Sequence, residues 1–135
     1  MLETLGAVAE KLLRLPQCDL STEHLLHGGL YTRTLRMPAD CVLVGAQIKV
    51  PTTLIVQGDA LVFAGDAWVR LSGYNVLAGE AGRKQMFVAI SEVVLTMVFP
   101  TTAQTVDEAE RELTDEFEQL MTRQGARGES LCLVE

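Results

Sequence analysis

The sequence is poor in the residues on which common protein chemistries rest. It has two histidines, His24 and His27, and three cysteines, Cys18, Cys41 and Cys132, set far apart. An odd, scattered set of cysteines matches neither a disulfide framework nor a zinc site of paired thiolates, so the expectation is three small apolar side chains. The histidines lie three apart and would share a helix face, but without a third ligand nearby they read as capping or core groups. No phosphate loop, dinucleotide fingerprint or nucleophile elbow is present. No stretch approaches the roughly 18 uncharged apolar residues of a membrane span. Glu3, Glu10, Lys11 and Arg14 stand where a secretory apolar run would lie. These absences predict a soluble protein made in the cytoplasm, with no membrane partner. Bases are also few, 11 against 18 acids for a net charge of -7. A basic stripe able to release phosphate counterions is missing, which excludes nucleic acid as the partner.

What is present is apolar and unevenly charged. The hydrophobic share of 48% in 135 residues suits one domain with one core. Residues 1–27 carry four acids and two bases, and residues 28–100 are near neutral. From Thr101 onward there are nine acids and three bases, so the acidity sits in an appendage. Leu2, Leu5, Val8, Ala9, Leu12 and Leu13 recur at helical spacing and predict a helix that Pro16 ends. Ser21 or Thr22 is placed to cap a further turn through STEHLL, stopped by Gly28-Gly29. From Gly29 to Pro100 the texture becomes short β-branched runs: LYTRTLRM, VLVGAQIKV, TLIVQ, ALVF, WVRL, YNVL, KQMFVAI and VVLTMVF. About eight closely spaced strands with no helix between them predict an antiparallel sandwich or barrel. In the first run Tyr31, Arg33 and Leu35 share one side. Beyond it, Thr105 and Glu108 form a capping box, and a helix is predicted from Val106 to Arg123. Its apolar face runs through Val106, Ala109, Leu113, Phe117, Leu120 and Met121, opposite a charged face of Glu110, Asp115 and Glu118.

Residues 38–100 carry a glycine framework, with Gly58-Asp59, Gly65-Asp66 and Gly73 in turn, that resembles the two-motif signature of the cupin superfamily. That resemblance implies a mainly β fold, a cupin-like antiparallel β-barrel (jelly roll) flanked by an N-terminal helix and a C-terminal amphipathic helix. It also implies where metal ligands would stand. Spacing back from Gly58 puts the glutamate on Pro51 and the paired histidines on Gly45 and Gln47, while strand texture puts the pair on Gln47 and Lys49. Forward from Gly73, the third histidine becomes Gln85. No register supplies an imidazole, so neither a metal nor another cofactor is expected. A GG turn before a strand, the IK pair ahead of TLIV, the GRKQ run and the acidic terminal helix also resemble small cupin-like proteins of tailed bacteriophages.

Three functions follow as expectations. The first is a non-enzymatic structural or binding module, a virion-associated capsid-decoration or collar and tail component. It would form a homo-oligomer, with a dimer the simplest case, and take other virion proteins as partners, in the virion or the host cytoplasm, while Leu113, Phe117 and Leu120 dock the terminal helix either on its own barrel or, as a partner interface, across the oligomer. The second is a small-molecule-binding cupin in which Gln47, Lys49, Gln85 and Arg83 hold an anionic or polyhydroxylated ligand. The third is a metal-free isomerase-type enzyme, for which Lys49 is the only reasonable base. The first reading needs no catalytic residue.

Overall fold

A computed structural model describes residues 20–64, 66–116 and 130–132. In chain order these form β1 (Ser21–His27), β2 (Leu30–Met37), β3 (Cys41–Val44), β4 (Thr52–Gln57), β5 (Ala60–Ala64), β6 (Ala67–Leu71), β7 (Tyr74–Gly79), β8 (Met86–Ala89) and β9 (Val93–Pro100). Helix α1 (Val106–Leu113) and strand β10 (Ser130–Cys132) follow. Two five-stranded sheets result, ordered β1-β2-β9-β4-β7 and β10-β3-β8-β5-β6. Every pairing between these strands is antiparallel. From β2 to β5 and again from β6 to β9 the chain alternates between the sheets, so neighbours in sequence face each other across the core. This mainly β jelly roll is an antiparallel sandwich of the kind that the strand spacing predicts, and the fold that the cupin resemblance implies.

Period-two patterning sets which side chains enter the core. On β2, Tyr31, Arg33, Leu35 and Met37 are buried while Leu30 and Arg36 are exposed. Leu35 and Met37 join Leu54, Val56 and Leu95 from one sheet and Leu43, Val62 and Phe87 from the other in one cluster. A second cluster of Tyr31, Ile48, Phe99, Ala109 and Leu113 seats α1 at one end of the sandwich. Burying a side chain of the size of Leu113 contributes about 1.5–3 kcal/mol. Gly28 and Gly29 both have positive φ, 62° and 76°, and close the two-residue hairpin between β1 and β2. Gly58 has φ 121°, and a Cβ there would collide with the backbone carbonyl of Glu92.

Several sequence expectations are corrected. STEHLL is not a capped turn but most of β1, because Ser21–His27 finds a full antiparallel partner in Arg36–Leu30. His24 and His27 then fall on opposite faces of a strand rather than on one helix face. VLVGAQIKV and KQMFVAI shorten to β3 and β8, with Ile48 and Arg83 meeting in an isolated bridge beyond them. Thr105 caps the helix, with the Glu108 amide donating to Thr105 Oγ1 at 3.2 Å, while the Glu108 carboxylate accepts from the Gln104 amide instead of the Thr105 amide of a capping box. The helix nevertheless stops at Leu113 and not at Arg123, since Thr114 turns to extended backbone, φ -154°. Phe117, Leu120 and Met121, like the first helix, lie outside the described residues. The acidic segment is no mere appendage: α1 packs on the barrel and β10 joins β3 in the second sheet. Cys41 is fully buried and disulfide-bonded, and Cys132 stands opposite it in that pairing. Strand pairing erases the separation in sequence on which the expectation of three unpaired cysteines rested.

Candidate functional site

Between the two sheets lies a cavity of about 60 Å³. Leu35, Leu54 and Leu95 line it from one sheet, Leu43 and Phe87 from the other, and Leu113 from the end of α1. Three long polar side chains enter this apolar space: Arg33, Arg83 and Gln85.

The two arginines differ in how their charge is met. Arg33 projects inward because it shares the buried side of β2 with Tyr31 and Leu35, and its Nη1 donates to Glu110 Oε2 of α1 at 2.7 Å. Both side chains are almost wholly buried, so the pair neutralises itself inside the protein. Glu110, expected on the solvated face of the helix, thus turns inward. The same Nη1 lies 3.4 Å from Tyr31 Oη, and Tyr31 Oη lies 2.7 Å from His24 Nδ1. The phenol oxygen accepts from Arg33 and shares a further hydrogen bond with the imidazole. Burial, and then the positive charge of Arg33, hold His24 below its ordinary pKa, while burial pushes that of Tyr31 up.

Arg83 meets only neutral acceptors: the carbonyl of Glu80 at 2.9 Å, Thr52 Oγ1 at 2.6 Å and Met97 Sδ at 3.6 Å. Among the described residues no carboxylate lies within ion-pair distance of it. Its guanidinium is half-buried, and burial lowers its pKa. Gly79 makes room for it, because a Cβ at that position would stand 2.6 Å from Arg83 Cζ. The position also fixes the side chain: Ile48 N donates to Arg83 O at 2.9 Å, and Gly45 N donates to Gln85 O at 3.0 Å, so the two runs lie side by side.

Gln47 and Lys49, placed by sequence with Gln85 and Arg83, do not join them. Ala46 and Ile48 are buried and line the cavity, while Gln47 between them and Lys49 after them are exposed. There they hold residues 113–116 like a strap. The Lys49 amide donates to Leu113 O, Thr114 Oγ1 donates to Gln47 O and the Gln47 amide donates to Glu116 Oε1, at 2.9, 2.6 and 2.6 Å. Lys49 Nζ bonds Asp115 at 2.7 Å and Lys84 Nζ bonds Glu116 at 3.2 Å. Of the expected ligand set, Arg83 and Gln85 line the cavity and Gln47 and Lys49 secure its cover. Leu113, expected to dock either on its own barrel or across an oligomer, packs on its own barrel and lines the cavity. The missed residues are Glu110 and the strap. Arg33, in phase with Tyr31 and Leu35, was the signal that a buried partner for a cation had to exist.

Among the described residues no three His, Cys, Asp or Glu side chains converge as a metal site would require, and no helix is long and apolar enough to cross a membrane. No family model matches the sequence, and no curated protein does. Solved structures do. A cupin superfamily protein from Desulfitobacterium hafniense is 14% identical, with 64% of this chain and 81% of that one covered at a TM-score of 0.50. The protein KdgF from a Halomonas species is 17% identical, with 67% and 84% covered at 0.53. A salicylate 1,2-dioxygenase from Pseudoaminobacter salicylatoxidans is 12% identical, with 71% of this chain but 31% of that one covered at 0.53. At such identities the likeness defines the fold alone: the chain has the cupin fold, which its neighbours put to enzymatic and to unassigned uses.

Proposed function

We propose that the chain is a non-enzymatic binding protein whose site is the cavity of a metal-free cupin barrel. The observation that carries this reading is the composition of the cavity wall, apolar on most sides with Arg83 and Gln85 as its available polar groups. The positions to which the cupin resemblance assigns metal ligands support it. Gly45 has no side chain, Gln47 and Lys49 face outward to the strap, and Gln85 brings only an amide. Lys49, the base that an isomerase would need, is not among the cavity-lining residues, which favours binding over proton abstraction. The test is a titration of chelator-treated protein with small anionic, neutral and cationic compounds, followed by the methyl resonances of Leu54, Leu95 and Met97. At least one compound should shift them saturably. If none does, or if binding begins only when a divalent metal is restored, the reading fails.

A second reading, an assembly component of a bacteriophage virion that also self-associates, has two observations in its favour. Trp68, Val69, Tyr74 and Val76 are exposed on β6 and β7, consecutive strands that end their respective sheets. Apolar side chains on open sheet edges are the material of protein interfaces. A disulfide at Cys41 suits an oxidising setting such as a particle exterior.

A further inference from the structure

We infer that the cavity takes a short carboxylate, with its charged head on Arg83 and its apolar body among the leucines, Phe87 and Met97. The inference rests on the cavity being the binding site and names the chemical class of its ligand. Its ground is the unequal treatment of two inward-pointing cations. A guanidinium withdrawn from water is costly unless an anion or a full set of acceptors replaces the lost hydration. For Arg33 the fold supplies Glu110 at 2.7 Å.

For Arg83 the fold supplies a carbonyl, a hydroxyl and a thioether, and no carboxylate among the described residues. Glu80, whose backbone carbonyl it bonds, is exposed and makes no ion pair with it. The cavity wall therefore holds one half-buried cation with no carboxylate at ion-pair distance, the exposed Glu80 acting on it only from further away, and it is held beside Gly79, where a Cβ would collide with it.

A guanidinium has five N–H donors in a rigid fork, and the neutral contacts take one Nη1 and both Nη2 hydrogens, so a carboxylate takes the Nε–H directly and becomes bidentate by displacing the long Met97 Sδ contact from Nη2. Gln85, also on the wall, adds an amide donor. A cationic or purely apolar ligand would leave the charge of Arg83 unmet. Phosphate would bring a second charge and no apolar body for the leucines. The volume of about 60 Å³ limits the ligand to a few carbon atoms beyond the head.

The experiment compares butyrate with butyramide, butanol and butylamine by calorimetry, while the Arg83 Nε–H and the methyls of Leu54 and Met97 are followed by NMR. Butyrate should bind about tenfold or more tightly than the neutral compounds, as expected of charge-assisted over neutral hydrogen bonds. It should also shift the Arg83 Nε–H. Arg83→Gln should abolish that preference, and Arg83→Lys should retain part of it. Should Arg83→Gln not fold, the ligand series and the Arg83 resonance on the parent protein decide the matter alone. Cavity methyls that respond equally to butanol, butyramide and butyrate would overturn the carboxylate assignment and leave the cavity reading standing. Methyls that respond to none of the four would overturn both.

Discussion

At the scale of single residues, the fold depends on whether each inward polar group finds its complement. Arg33 and Glu110 do, in surroundings where losing one partner strands the other. Replacing Glu110 with Leu removes the carboxylate that meets the buried guanidinium at 2.7 Å and should cost about 3–5 kcal/mol. Changing Arg33 to Met in the same chain should recover most of that loss, because an apolar pair needs no desolvation. Denaturant unfolding of the two single variants and the double variant measures both effects. If the single variants unfold like the parent, the buried pair is not holding α1 to the barrel. The adjoining His24 sets a pH dependence whose sign follows from its lowered pKa. The unfolded imbalance is simple: a free imidazole titrates near 6.5, whereas the folded one, bonded to Tyr31 beside Arg33, protonates only at lower pH. The unfolded state therefore binds more protons between those values, and the neutral histidine's contribution, present above about pH 6.5, is lost as pH falls through the folded pKa. Stability should decline on acidification through this window, and His24→Gln should flatten that part of the profile.

At the scale of elements, the strands were legible and the ends of elements were not. Period-two alternation on β2 and the glycine and aspartate turns marked most strands, because those signals are local. The same local signals misplaced β1, since STEHLL carries helix-cap residues and only its pairing with β2 makes it a strand. They also ran α1 on to Arg123, where bonds from Thr114 and Glu116 to Gln47 turn the chain into a strap. Such bonds join residues that sequence patterns cannot connect. The site divided in the same way: Arg83 and Gln85 were identified with the cavity, but Gln47 and Lys49 were grouped with them because spacing alone does not say which face of a loop is covered. The strap should hold mainly by its apolar anchor. Leu113→Ala should destabilise the protein by about 2–5 kcal/mol through lost burial and a new void. Asp115→Ala should change little, since its partner Lys49 is itself partly solvated and exposed ion pairs are weak. Thermal melts of the two variants separate these contributions, and equal losses would contradict them.

At the scale of the whole molecule, the chain has the cupin fold and carries a cation, Arg83, on the wall of its cavity. The acidic segment after the barrel contributes to the fold, since Leu113 lines the cavity, Glu110 pairs with Arg33 and β10 extends the second sheet beside the disulfide-bonded Cys41. Reduction of that disulfide should lower stability by about 2–4 kcal/mol. The exposed apolar residues on β6 and β7 should make the protein a dimer at micromolar concentration, which light scattering reads directly, and a strict monomer would count against the assembly reading. The central claim, that this barrel binds without a metal, is tested most directly by equilibrium dialysis against iron(II), zinc(II) and manganese(II) in turn, followed by elemental analysis. The account predicts far less than one metal per chain in each case. About one ion per chain, lost when Gln85 is changed to Ala, would contradict it.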